Sequence, residues 1–298
     1  MNTLTIQNLS KIYPDGTKAL SSVTLTINNG MFGLLGANGA GKSSLMRTIA
    51  TLQSPSSGTI CFNGKDIQKN PNTVRRVLGY LPQEFGVYPK TSAIELLHHI
   101  GVMKGVLDKN KRTLQIESLL HQTNLWDHRK KYVHTYSGGM RQRFGIAQAL
   151  LGDPQIIIVD EPTAGLDPEE RHRFLNLLSK IGENIIVILS THIVADIYNL
   201  CSNMAILDRG QLVVHGSPAK LVQSLEGQIW RKTISADDLP GYRKDHDVIS
   251  TRLTAGKKQI HVKSEDTPGN DFESVSPTLE DYYFSIVSTS EQQTMGVS

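Results

Sequence analysis

The residues best suited to binding a phosphate group stand together in Gly36–Ser44, which reads GANGAGKSS. This stretch fits the phosphate-binding loop pattern G-x-x-x-x-G-K-[ST] at every fixed position. Its glycines let successive backbone N–H groups turn toward an anion, and the N-terminus of a following helix adds a positive dipole end. Lys42 would then neutralise the β- and γ-phosphate oxygens of a nucleotide, and the Ser43 hydroxyl would ligate Mg2+. The sequence therefore predicts a nucleotide-binding loop.

Two adjacent carboxylates follow an apolar run. Asp160 and Glu161 come directly after Ile156–Val159, a run that is typical of a buried strand. In a protein with a phosphate-binding loop, such a strand delivers the aspartate that coordinates Mg2+. Because successive side chains of a strand point to opposite faces, we expect Glu161 to point away from Asp160. The alternative is a strand end that turns into solvent.

Two weaker signals lie on either side of these carboxylates. His192 follows the apolar run Asn184–Leu189, and ligands bind at the carboxyl edge of parallel sheets. We interpret it either as a sensor of the γ-phosphate or as a loop histidine. Ser137-Gly138-Gly139 opens a predicted helix, with Ser137 as the N-cap and two glycines whose amide N–H groups are open to an anion.

The segments that carry these residues predict an α/β chain. Residues 3–13 and 20–28 alternate apolar and polar positions like half-buried antiparallel strands, and Gly30–Leu35 is typical of a short buried strand. Helical periodicity follows the phosphate-binding loop and returns from Ser92 to about Leu150. We expect a parallel sheet accompanied by an antiparallel β subdomain and a helical insertion.

The composition changes near Gly216-Ser217-Pro218, from a net basic part to a net acidic one. Short strands are predicted over 228–234, 247–253 and 258–263. A helix with one apolar face follows, its apolar positions being 279, 282, 283, 286 and 287. We predict a small α+β unit over residues 218–298, with a disordered tail after about Ser288.

Whole-chain composition excludes several classes of protein. The 298 residues are 39% hydrophobic and 20% charged, as in ordinary globular proteins, and a net charge of +3 gives no strong nucleic-acid footprint. Cys61 and Cys201 form no metal-ligand spacing and are expected to be free thiols. No signal peptide is evident, and the longest aliphatic runs are too short to cross a bilayer. We expect a soluble chain, in which the basic run 128–131 is a solvated face or a contact with an acidic or membrane-bound partner.

The order of these motifs over residues 1 to about 217 resembles the ATP-binding subunit of an ABC (ATP-binding cassette) transporter. By that resemblance, Tyr13 matches the aromatic residue that stacks on adenine; taken alone, it would be a core or surface tyrosine. The other matches are Gly36–Ser44 with Asn38, Gly39, Gly41 and Ser44 (Walker A), Gln83 (Q-loop), Ser137-Gly138-Gly139 (signature motif), Asp160 (Walker B), Glu161 (catalytic base), Asp167 (D-loop) and His192 (switch histidine). The signature has Tyr136 in place of Leu and Met140 in place of Gln, but it keeps the serine and both glycines that face phosphate.

The resemblance implies a P-loop NTPase core with an antiparallel β subdomain and a helical subdomain over about 86–150. It implies ATP and Mg2+ as cofactors, with Gln83 touching Mg2+ and relaying to the membrane subunit through residues near Gln83–Tyr88. Two subunits would sandwich two nucleotides, and the signature residues of one would complete the site of the other. A homodimer is expected, with a heterodimer left open. The partner is expected to be an integral-membrane permease at the cytoplasmic face, without nucleic acid.

Residues 218–298 resemble the C-terminal extension of the drug- and polysaccharide-exporter branch of that family, most closely over Ser276–Tyr283. This favours export and a role of the extension in dimer contact or regulation. One rival is a soluble ABC-type ATPase acting on nucleic acid or ribosomes, but the second cassette, coiled coil or zinc cysteines of such proteins are absent from the sequence. Another is a regulator that binds ATP without hydrolysing it, against which Glu161 and His192 argue.

Overall fold

The computed structural model describes residues 1–83, 86, 89–162, 166–254 and 256–295, with the backbone alone described over 288–295. Contacts divide the chain into two units, Met1–His215 and Gly216–Ser298. The division falls two residues before the boundary that we predicted from composition. Among the described residues, no helix is both long and apolar enough to span a membrane.

The strands, in chain order, are β1 (Thr3–Ile12), β2 (Lys18–Asn28), β3 (Gly30–Leu35), β4 (Ser57–Phe62), β5 (Lys65–Asp66), β6 (Leu78–Leu81), β7 (Ile156–Asp160), β8 (Ile186–Ser190), β9 (Asn203–Asp208), β10 (Gln211–Gly216), β11 (Ile229–Ile234), β12 (Asp247–Thr254), β13 (Lys257–Lys263) and β14 (Glu273–Ser274). The α-helices are α1 (Lys42–Ile49), α2 (Asn72–Arg75), α3 (Ala93–Met103), α4 (Lys109–Gln122), α5 (Gly138–Leu150), α6 (Pro168–Gly182), α7 (Val194–Leu200), α8 (Pro218–Gln223), α9 (Leu239–Asp245) and α10 (Leu279–Met295).

A six-stranded sheet in the order β10-β9-β3-β8-β7-β6 forms the centre of the first unit. Its strands β9, β3, β8, β7 and β6 pair in parallel, and every residue of β7 and β8 is buried. Parallel strands covered on both faces must be apolar throughout, which explains the continuous aliphatic runs of β7 and β8. Their carboxyl ends meet at one edge of the sheet, where β3 passes into α1. The predicted α/β core is therefore confirmed.

An antiparallel sheet in the order β2-β1-β4-β5 packs on this core. In β2 the buried positions alternate with exposed ones, as the sequence pattern predicts for a strand with one wet face. Leu4 and Ile6 of β1 belong to the same buried cluster as Phe32 of β3 and Leu45 of α1. This shared core holds the β1–β2 hairpin beside the start of α1.

The predicted helical insertion consists of α3, α4 and α5, which bury a core of their own. Leu97, Ile116, Leu120 and Phe144 are its centre, each fully buried. Ser92 begins α3 with a capping box, because its side chain accepts the Glu95 N–H while Glu95 accepts the Ser92 N–H. This insertion carries the signature tripeptide at the N-terminus of α5.

The second unit is a four-stranded antiparallel sheet, order β12-β13-β11-β14, with α8, α9 and α10. Asp281 of α10 is fully buried, and its Oδ1 accepts a hydrogen bond of 2.7 Å from Nδ1 of His261 on β13. The N–H and the hydroxyl of Thr278 both donate to its Oδ2. The expected strands and final helix are present. The composition predicted a disordered tail after Ser288, whereas the structure continues the backbone of α10 to Met295.

Candidate active site

The phosphate-binding loop lies between β3 and α1, as its motif predicts. Gly41 is the N-cap of α1 with a φ of 104°, and a Cβ there would lie 2.5 Å from the carbonyl oxygen of Ala19. A Cβ on Gly36 would lie 2.4 Å from the carbonyl oxygen of Leu207. The loop thus passes too close to its neighbours for any side chain at these two positions, so both must be glycine.

Lys42 is 6% exposed and turns back over its own loop. Its Nζ donates to the carbonyl oxygens of Gly36 at 2.6 Å and Ala37 at 3.0 Å. Burial lowers the pKa of Lys42, while the nearby carboxylates of Glu161 and Asp160 oppose that shift. A buried ammonium held mainly by neutral carbonyls is poised to pair with a phosphate oxygen, because that contact restores a full countercharge.

Asp160, the last residue of β7, is 7% exposed. The hydroxyl of Ser43 donates to its Oδ2 at 3.3 Å. Burial raises the pKa of Asp160, and the nearby Ser190 and Ser43 hydroxyls oppose the shift. A hydroxyl and a carboxylate are hard oxygen donors, and Mg2+ takes one or two carboxylates together with substrate phosphates. The donor set therefore fits Mg2+.

Glu161 lies on the same side as Asp160, so our expectation of opposite sides is wrong. The chain leaves the strand after Asp160, and Glu161 takes a left-handed φ of 46°, which turns its side chain into the cleft. Its N–H donates to the Ser190 carbonyl oxygen at 2.9 Å. Gln83 Nε2 donates to Glu161 Oε2 at 3.4 Å, and His192 Nδ1 lies 3.4 Å from the same oxygen. The predicted catalytic side chains thus meet at one carboxylate.

Gln83, Asp160 and Glu161 line a cleft of about 460 Å³, whereas His192 is not part of its lining among the described residues. Its lining contains the predicted residues Tyr13, Asn38, Gly39, Gly41, Lys42, Ser43, Ser44, Gln83, Asp160 and Glu161. The Tyr13 hydroxyl shares a hydrogen bond of 3.0 Å with Ser44 Oγ and donates to Gln53 Oε1 at 3.2 Å. The cleft therefore extends from the carboxylates to an aromatic ring.

Sequence reasoning missed Thr17, Lys18 and Ala19, which also line the cleft. They follow the turn after Tyr13, whose N–H donates to the Thr17 carbonyl oxygen at 2.9 Å. The hairpin signal that paired residues 3–13 with 20–28 could have placed them beside Tyr13, since a hairpin returns the chain to its own start.

The signature residues and Asp167 do not line this cleft among the residues that the structure describes. Ser137 caps α5 by accepting the Met140 N–H at 3.2 Å, and Gly138 is exposed with open space where a Cβ would be. Asp167 caps α6 by accepting the Glu170 N–H at 2.8 Å. Residues 163–165 lie outside the described residues, and so do residues 84, 85, 87 and 88 of the segment that we expected to relay to the membrane subunit.

The sequence is similar to that of known nucleotide-binding proteins. A family model described as ABC transporter matches residues 20–164. YxlF of Bacillus subtilis, an uncharacterised ABC transporter ATP-binding protein, is 31% identical over 95% of this chain and 99% of its own length. The chain belongs to the ABC transporter ATP-binding family. The Nod factor export ATP-binding protein I of Cupriavidus metallidurans is 34% identical over 88% of this chain and 84% of its own length.

The fold is similar to that of solved ABC cassettes. The dimeric bacterial ABC transporter cassette MJ0796 has a TM-score of 0.66 at 25% identity, over 72% of this chain and 98% of that chain. A second dimeric structure of the same cassette is a post-hydrolysis state bound to ADP and Pi, with the same TM-score. This ABC protein is accordingly the ATP-binding subunit of a transporter and an ATPase. These relatives do not favour the rival that acts on nucleic acid or ribosomes.

Proposed function

We propose that this ABC subunit hydrolyses Mg2+-ATP at the cytoplasmic face of a membrane and thereby drives export through a separate permease. The observation that carries the proposal is the convergence of Lys42, Ser43, Asp160 and Glu161 on one cleft beside the phosphate-binding loop. The similarity to a Nod factor export protein supports export. The resemblance of residues 218–298 to exporter extensions is a second, independent support.

The phosphate end of the cleft would hold the triphosphate. Lys42 would exchange its two carbonyl partners for phosphate oxygens. Backbone N–H groups of the loop would donate hydrogen bonds to the remaining phosphate oxygens. Ser43, Asp160 and Gln83 would hold Mg2+, which supplies countercharge to the phosphates when bound. The raised pKa of Asp160 supports this role, because a carboxylate that is costly to ionise alone gains most from a cation.

Glu161 would orient the attacking water and accept its proton. His192 and Gln83 contact the same carboxylate oxygen, so each is placed to fix the orientation of Glu161. General-base steps contribute roughly 100- to 10,000-fold to a rate. Tyr13, at the far end of the cleft, would stack on adenine.

The exposed positions of Ser137 and Gly138 support a homodimer in which the signature residues Ser137, Gly138 and Gly139 reach the nucleotide held by a second copy. Asp167 would lie near the same interface. Both halves of such a site are present in this one chain, which permits two equivalent sites. Nucleotide binding would close the pair, and hydrolysis would release it.

The test of the permease partner uses the full chain in its native membrane. A tagged version is cross-linked in cells, solubilised in detergent and captured, with a tagged Glu161→Gln version in parallel. We expect a protein with several membrane spans to be captured with both. Capture of nucleic acid or ribosomal proteins in its place would contradict the proposal.

A further inference from the structure

The first turn of α6 makes ion pairs in two directions. Glu170 Oε1 lies 3.3 Å from an Nη of Arg143 on α5. The next residue, Arg171, donates to Oδ1 of Asp196 on α7 at 2.5 Å. Two consecutive residues of α6 thus contact two different helices. Glu170 contacts α5, which begins with the signature motif, and Arg171 contacts α7, which follows His192.

The contact with α5 is also steric. A Cβ built on Gly139 would lie 1.7 Å from Glu170 Oε2, closer than any real contact. The Glu170 carboxylate therefore occupies the space beside the second signature glycine, while Gly138 remains open toward solvent. The position of the first turn of α5 depends on where Glu170 lies.

Neither ion pair is a loose surface contact. The side chains of Arg143 and Glu170 are 16% and 24% exposed, and that of Asp196 is 5% exposed. Within the described part of the chain, Asp196 Oδ2 and Arg143 Nε are buried without a hydrogen-bond partner. Each group therefore depends on its one ion pair for charge compensation, and removing a partner from such a pair is costly.

Asp167 fixes the same turn at its start, because its side chain accepts the Glu170 N–H. Glu170 and Arg171 thereby connect Asp167 with α5 and α7. His192 in turn lies against Glu161. The surroundings of Glu161 are thus connected with the signature motif of the same subunit by three ion pairs and by the short run of chain from His192 to Asp196.

We propose that Glu170 and Arg171 are positioning residues. They make the position of the signature motif depend on whether the nucleotide cleft of the same subunit is occupied. Arg143 and Asp196 are their partners. This inference rests on the proposed function, because it requires the signature residues to contact the nucleotide of a second copy. A displacement of Glu161 and His192 would move α7, then α6 and then α5. The signature motif on α5 would in turn move relative to the nucleotide held by the second copy.

The experiment compares Glu170→Gln with the matched control Glu169→Gln. Glu169 is the preceding residue of α6 and pairs with Arg173 on the exposed face, where both side chains are more than half exposed. Steady-state ATP hydrolysis gives kcat and KM, a fluorescent ATP analogue gives affinity for the isolated subunit, and thermal unfolding reports folding. For Glu170→Gln we expect kcat to fall by about tenfold with unchanged analogue affinity, since a coupling of this kind is worth about 5- to 150-fold. Glu169→Gln should stay within about twofold of the parent, as exposed pairs contribute little.

A double-mutant cycle separates positioning from general damage. Arg143→Met and Glu170→Gln should each lower kcat, and the double variant should be no worse than either single one, because no uncompensated charge remains. Equal kcat for Glu170→Gln and Glu169→Gln, or additive losses in the cycle, would overturn the inference. If the parent protein itself fails to hydrolyse ATP, the proposed function fails instead, so the two failures are distinct.

Discussion

The Ser43 hydroxyl donates a hydrogen bond of 3.3 Å to Asp160 Oδ2, although the two residues are 117 positions apart in the chain. The pair forms because β3 and β7 flank β8 in one parallel sheet, so that their carboxyl ends meet at the same edge. One strand continues into the phosphate-binding loop and the other ends in a carboxylate. The sheet therefore brings a hydroxyl and a carboxylate, the pair that we propose for Mg2+, to the cleft where Lys42 and Glu161 also lie.

Replacing Asp160 with Asn is expected to stabilise the nucleotide-free protein while it weakens Mg2+-ATP binding. The folded-state pKa of Asp160 is raised, so the protein loses stability as the pH rises above the unfolded pKa, and the loss is complete above the folded pKa. The melting temperature of Asp160→Asn should exceed that of the parent by a few degrees at pH 7. The difference in melting temperature should narrow as the pH falls toward about 3.9, the pKa of an aspartate in the unfolded chain.

Melting curves between pH 4.5 and 8, without nucleotide or Mg2+, check the prediction for Asp160. A variant that melts below the parent at pH 7 would contradict it. The expected weakening of Mg2+-ATP binding is checked by adding Mg2+-ATP, which should raise the melting temperature of the parent more than that of Asp160→Asn.

Tyr13 is expected to contribute to nucleotide affinity through its ring rather than its hydroxyl. Base stacking on an aromatic side chain is worth about 1–3 kcal/mol, so Tyr13→Ala should raise KM for ATP by about tenfold or more with little change in kcat. Tyr13→Phe keeps the ring and loses only the hydrogen bonds to Ser44 and Gln53. Its KM should stay within about threefold of the parent. Equal KM values for the two variants would count against stacking.

Asp281 is expected to stabilise the second unit in a pH-dependent way. Burial raises the pKa of Asp281, but hydrogen bonds from His261 and Thr278 outweigh it and hold that pKa below its usual value. A lowered folded-state pKa means that the stabilisation is present above the unfolded value of about 3.9 and is lost as the pH falls through the folded value. Asp281→Asn should cost about 3 kcal/mol at pH 7, the range for breaking a buried pair.

Limited proteolysis across residues 216–298, compared between the parent and Asp281→Asn, measures this loss. Cleavage of the variant should be faster at pH 7, and the parent should approach it only in acid. A variant as resistant as the parent at pH 7 would show that the His261–Asp281 pair contributes nothing.

The motifs of the cleft could be predicted because each depends on a short stretch of chain. Gly36–Ser44 is a strand–loop–helix pattern, and Asp160 ends a fully apolar strand, so local spacing was sufficient. Glu161 was misplaced because it has left strand geometry: its φ is a left-handed 46°, and its N–H donates to the Ser190 carbonyl oxygen. Neither feature can be read from strand alternation.

Contacts that join distant segments could not be predicted in the same way. The pairs Arg143–Glu170 and His261–Asp281 connect elements whose relative position is set by packing, and no spacing along the chain encodes them.

Dimerisation driven by ATP depends on Ser137 in our proposal. With hydrolysis blocked by Glu161→Gln, the chain should elute from size exclusion as a dimer in ATP and as a monomer without it. Adding Ser137→Arg places a cation at the N-terminus of α5, where it repels the helix dipole and blocks the exposed surface at Ser137 and Gly138. The doubly substituted chain should remain a monomer, and a dimer in that case would contradict the sandwich.

Phosphate release by the purified chain with Mg2+ and ATP, together with its permease partner, tests the central claim most directly. The parent should turn over ATP, whereas Glu161→Gln should bind ATP with similar affinity and lose roughly 100-fold or more of the rate. Glu183→Gln, at the end of α6 and outside the cleft, serves as the control and should match the parent. Equal phosphate release from Glu161→Gln and the parent would contradict the account.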